Sequence, residues 1–103
     1  MGDKPTVQSL TVKDLTVGCV FKSTGVAWIV VDMGQHHAIT IYISNDIKAN
    51  PDIFDSPPYP ITVDVFDNED FSNYTKEDIV YRPNGELTVR QAFEQYLREA
   101  SSA

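Results

Sequence analysis

The chain has 103 residues, 15 Asp and Glu against 8 Lys and Arg, and a formal net charge of −7 at pH 7. This length holds one domain with a modest core, and the 42% apolar share excludes wholesale disorder. The acidic balance excludes a nucleic-acid or anionic-membrane binder that works by charge, and the single cysteine excludes a disulfide framework.

Residues 1–13 read as a flexible or extended arm. Met1-Gly2 with Thr6 matches the loose myristoylation pattern, a short motif that arises by chance. No secretory signal is read at this end and no run approaches the ~20 apolar residues of a membrane span, so the expected compartment is the cytoplasm. Val17 to Lys22 is a β-prone run, and Ser23-Thr24-Gly25 is a turn. Val26 to Met33 is apolar on both sides until Asp32, which places it as a central strand. Trp28 is expected inside it, at about 3–5 kcal/mol for truncation to alanine. Gly34 to His37 turns the chain again. Ala38 to Ser44 then alternates, with Ile39, Ile41 and Ile43 on one side and Thr40, Tyr42 and Ser44 on the other.

Asn45 to Pro60 reads as a long loop, because Pro51, Pro57, Pro58 and Pro60 cannot donate to a β-ladder. Ile61 to Phe66 resumes alternation, with Ile61, Val63 and Val65 expected inward. Asp67-Asn68-Glu69-Asp70 is an acidic turn, and Thr75 with Asp78 is a capping box. Ile79 to Arg82 is a last short strand. Thr88 with Gln91 caps a helix over 88–100, whose stripe of Val89, Ala92, Phe93, Tyr96, Leu97 and Ala100 covers one side of the sheet. The sum is a single α+β domain over 1–103. It has a small curled antiparallel sheet of about 4–5 strands, SH3-like or a partial barrel, with the C-terminal helix packed on it.

Catalytic chemistry finds no foothold. Cys19 alternates with Val17 and Phe21 and so points into the core, where a thiol is inert. His36 and His37 are adjacent, which suits separate directions rather than one metal. The 67–70 turn lacks the glycine of a calcium loop. No phosphate loop, nucleophile elbow or zinc motif is present, and the reading assigns no enzyme activity, cofactor or metal.

Charge supplies the one functional signal. Residues 46–78 carry nine acids against Lys48 and Lys76, so the whole excess sits in the middle third. Aromatics are interleaved with these acids. The expected partner-binding residues are Asp52, Asp55, Asp64, Asp67, Glu69, Asp70, Phe71, Tyr74, Glu77 and Asp78. Phe71 and Tyr74 are expected as exposed anchors, and Asp67, Glu69 and Asp70 as turn residues that tolerate reversal. This predicts an acidic module, an inhibitor or accessory protein of viral or phage type. It would dock a basic, nucleic-acid-binding site on another protein as a DNA mimic, with no direct contact to nucleic acid or membrane. The alternative is a structural subunit that assembles as a homo-oligomer or within a larger particle.

Overall fold

The computed structural model describes residues 9–55 and 57–101. Strands β1 (Val20–Ser23), β2 (Val26–Met33), β3 (His37–Tyr42), β4 (Asp64–Asp67) and β5 (Ile79–Tyr81) form one antiparallel sheet in the order β4-β3-β2-β1-β5. Helices α1 (Asn45–Ala49) and α2 (Val89–Ser101) complete the regular elements.

The composition of β2 explains the layering. Its apolar residues fall on both faces, so both faces must be covered. Ala27, Ile29 and Val31 join Ile41 and Ile43 of the third-strand segment, Phe54, and Val89, Ala92 and Phe93 of α2 in one core. Val30 joins Phe21, Cys19, Ala38, Leu10, Val12, Leu15 and Phe71 in a second core on the opposite face. A sheet buried on both sides does not roll up around one interior. The five-stranded antiparallel sheet accordingly is not closed, with β4 and β5 as its edges, and with the C-terminal helix α2 it makes the expected small α+β domain.

Helix α2 starts as its sequence dictates. Thr88 N–H donates to Gln91 Oε1 at 3.0 Å, and Gln91 N–H donates to Thr88 Oγ1 at 3.1 Å. Val89, Ala92 and Phe93 are buried, and Tyr96 and Leu97 are half-buried. The helix comes so close at Gly18 that a Cβ there would lie 2.9 Å from Ala92 Cβ. Gly18 also has φ +97, so this position needs glycine twice over.

Four expectations change in the structure. First, the arm is anchored from Ser9 onward. Leu10 and Val12 are buried, Leu10 N–H donates to Tyr74 O at 2.7 Å, and Ser9 bridges Thr75; residues 1–8, with the myristoylation pattern, lie outside the described residues. Second, the long loop folds in part. Ser44 Oγ accepts from Ile47 N–H to cap α1, and a 3-10 turn at Pro51–Phe54 buries Phe54 against Phe93. Third, the strand after the loop is shorter and turned over. Phe66 faces the second core, while Val65 is 58% exposed and Ile61 and Val63 also remain at the surface. The ring of Phe66 gains the contacts of Phe21, Trp28 and Phe71, which three smaller β-branched residues do not offset. Fourth, Trp28 is half-buried rather than enclosed, although β2 is the middle strand and Ile41 is fully buried as expected.

Candidate protein-docking surface

The structure divides the acidic segment in two. Asp52 and Asp55, on the 3-10 turn and just after it, converge on Arg90 of α2. Arg90 Nη2 lies 3.1 Å from Asp52 Oδ1, and Nη1 donates to Asp55 Oδ1. Glu94 adds a contact at 3.7 Å from Nε, one helical turn along. The hydrogen bond to Asp55 raises the guanidinium's affinity for its proton further. These two acids therefore tie the loop to the helix through Arg90, while both carboxylates stay exposed.

Of the remaining seven acids Asp46 lies in the first turn of α1, and the other six lie on the limb from β4 to the start of β5. Residues 64–78 hold six acids against Lys76, a net of −5. The limb is built on aromatic rings. Phe71 lies 5.3 Å from both Phe21 and Phe66, and Tyr74 packs edge-on against Phe21 at 5.9 Å. It is stitched at the rim by side chains. Asp67 N–H donates to Asp70 Oδ2 and Asp70 N–H to Asp67 Oδ1, both at 3.0 Å. Asn68 Oδ1 accepts from Val12 N–H at 2.8 Å, which ties the turn to the N-terminal segment. Thr75 N–H donates to Asp78 Oδ2 at 2.8 Å, completing the expected capping box. Asp64 Oδ2 accepts from the Trp28 indole N–H at 3.2 Å.

These contacts sort the expected partner-binding residues. Phe71 is fully buried, so it is a core residue and cannot meet a partner. Tyr74 is half-buried in the same cluster, not a free anchor. The cause is the second face of the sheet, which among the described residues has no α-helix over it and is covered by the N-terminal segment and the limb's rings. Asp67 and Asp70 each hold the other's backbone N–H, so reversing them disturbs the turn as well as its charge. Asp64 and Asp78 have structural bonds but stay at the rim. Glu69 and Glu77 are exposed, and although their backbones bond to Ser72 and Thr75, neither carboxylate makes a hydrogen bond or ion pair among the described residues. They are the limb's free carboxylates.

Sequence reasoning missed four members of this arrangement. Arg90 had no signal for its two aspartate partners, because they lie 35 or more residues away. Asn68 looked like an ordinary turn residue. Thr11 and Asp14 did carry a signal, the same T-x-x-D spacing read at 75–78. Asp14 Oδ2 accepts from Thr11 N–H at 2.9 Å, and this bond holds the Asp14 carboxyl below the ordinary aspartate range. Lys76 Nζ approaches Asp14 at 3.6 Å, so the limb's one lysine is turned toward the N-terminal segment.

Other titratable groups serve packing. Burial pushes the Tyr59, Tyr81 and Tyr96 hydroxyls upward, and Tyr81 donates to Gln95 Oε1 at 2.7 Å. Cys19 is fully buried, its Sγ 3.3 Å from Thr16 Oγ1; Val17 is in a turn and exposed, so the strand begins later than its pattern suggests. No group of three or more His, Cys, Asp or Glu among the described residues is placed to hold a metal ion. No described helix is long and apolar enough to cross a membrane. No protein-family model, curated protein or solved structure matches the chain.

Proposed function

We propose that the protein is a non-enzymatic binding module that docks its 64–78 limb on a basic surface of another protein. The observation that carries this reading is the seating of the limb. A net charge of −5 is concentrated on 15 residues that are fixed from beneath by Phe66, Phe71 and Tyr74 and from the side by Asn68. A preordered charged surface loses little conformational freedom on binding, and its field speeds encounter with a positive partner. The natural basic site is a groove that otherwise takes nucleic acid, since duplex DNA presents a charge about every 1.7 Å and only a dense row of carboxylates substitutes for it.

The test is affinity capture from the source cells with wild-type protein and the double variant Glu69→Lys, Glu77→Lys. These two side chains carry no structural bond, so the variant should fold as the wild type does. A basic protein retained by the wild type, released by raised salt and lost by the variant supports the reading. Retention of the same proteins by the variant, with the same salt response, refutes it. The assembly alternative rests on Ile61, Val63 and Val65, which are apolar and exposed. Sedimentation at micromolar concentration decides it: a stable oligomer is required.

A further inference from the structure

The geometry points to the outer edge of β4 as a strand-addition site for a basic extended segment of a partner. This inference rests on the docking reading above and names how the partner engages. Among the described residues β4 pairs only with β3, through His37↔Asp67, Ala38↔Phe66, Ile39↔Val65 and Thr40↔Asp64. In an antiparallel strand, successive residues aim their N–H and C=O groups to opposite sides. Two bonds set the phase of β3. His37 O accepts from Gly34 N–H at 2.9 Å, and Ile43 N–H donates to Ala27 O at 2.8 Å. The odd-numbered residues of this strand therefore face β2, and Ala38 and Thr40 face β4. Their partners Phe66 and Asp64 are committed to that ladder, which leaves Val65 and Asp67 aimed outward. Asp67 confirms the phase, because its N–H meets the Asp70 carboxylate rather than β3.

Val65 thus offers a donor and an acceptor on the open edge, and its side chain is 58% exposed. The Asp67–Asp70 pair consumes the next outward N–H and stops the ladder there. Edge strands are commonly blunted by shortness, charged side chains, proline or a bulge. β4 uses the first two, being four residues long with Asp64 and Asp67 at its ends, and carries no lysine, proline or bulge. Acids at both ends oppose pairing with a second copy, which would bring two limbs of net −5 together. They favour an incoming strand that carries lysine or arginine beside apolar residues, with its apolar side chains against Val65. Addition of a strand to a sheet edge takes its affinity from main-chain bonds and its selectivity from alternate side chains.

The experiment titrates a fluorescein-labelled, end-capped hexapeptide of alternating lysine and valine into the full chain, read by anisotropy and by amide chemical shifts. Glutamate–valine and alternately N-methylated peptides serve as controls. The expected result is salt-sensitive binding with shifts centred on 63–67, absent for the glutamate peptide and lost on N-methylation. Val65→Pro removes only an outward N–H, a change edge strands accept, and should weaken binding at least about fivefold, as loss of a main-chain bond implies. Should this variant fail to fold, the N-methylated peptide removes the same bonds from the other side. Lysine–valine binding that survives both Val65→Pro and N-methylation but is lost in Glu69→Lys, Glu77→Lys overturns the edge and leaves the docking limb standing. Survival in all three overturns the edge and the limb together. No binding at millimolar peptide overturns the edge, and so does self-association that Val65→Pro abolishes, which would assign β4 to a second copy.

Discussion

Phe71→Ala should be among the most damaging single truncations in the protein. The side chain is fully buried and meets the rings of Phe21, Phe66 and Tyr74 at 5.3, 5.3 and 5.7 Å. Its loss removes the transfer energy of a buried phenyl ring and leaves a hole between rigid rings, about 3–5 kcal/mol in all. Small domains are stable by only about 5–15 kcal/mol, so about a fifth or more of the total is at stake. With about 1–3 kcal/mol per molar urea for small proteins, the midpoint should fall by at least about 1 M. Trp28 reports on the change directly, since it lies 5.6 Å from Phe21 and 5.4 Å from Phe66. Urea unfolding followed by Trp28 fluorescence and by far-ultraviolet circular dichroism is the assay. Trp28→Ala, at a half-buried position, should cost less than Phe71→Ala. A loss below about 1 kcal/mol for Phe71→Ala would refute the claim that the limb's aromatics form the second core, since core ring truncations cost several times that.

Asp70→Ala should cost about 1 kcal/mol through loss of a side-chain cap, while Glu69→Ala should stay within about 0.5 kcal/mol as an unpartnered surface change; equal effects in urea unfolding would show that the reciprocal Asp67–Asp70 bonds do not hold the turn. Cys19 should resist thiol reagents in the native state and react on unfolding, because it is fully buried; rapid native labelling would contradict its placement. Asp14 has a depressed folded-state pKa, so its stabilising effect is present above the unfolded aspartate value and is lost as pH falls through the folded one. Asp14→Ala should therefore lower stability at pH 7 and converge with the wild type as pH drops below about 4; a difference that is constant with pH would argue against the Thr11 cap.

The sequence carried more of the sheet than of the surface. β2 as the middle strand followed from apolar residues on both sides, and the α2 boundaries followed from the Thr88–Gln91 cap and the 3.6-residue stripe. The short turns between strands gave the antiparallel meander, and the two-sided β2 pattern gave a sheet covered on both faces. The register of β4 was misread because alternation of Ile61, Val63 and Val65 is a local signal, and the pull on Phe66 comes in large part from Phe21 and Trp28, far from it in the chain. For the same reason Phe71 looked like a surface anchor: interleaved acids mark a solvated rim, and the ring beneath them turns inward. Pairing across the chain was illegible altogether. Nothing local links Asp52 and Asp55 to Arg90, and that link ties both acids to the helix rather than to the limb. The acidic limb itself was legible, because charge segregation is a property of composition along the chain.

Site-specific photocrosslinking in source-cell lysate tests the docking limb most directly. A photoreactive phenylalanine analogue is placed at Glu69, on the free face of the limb, and in a second protein at Arg98, exposed on α2. Both adduct patterns are read at low and at raised salt. The account predicts a discrete adduct with a basic protein from position 69, diminished by salt because the attraction is screened beyond about 8–10 Å, and no such adduct from position 98. An adduct from position 98 and none from 69, or equal adducts from both at every salt concentration, would contradict the claim that residues 64–78 are the interaction surface.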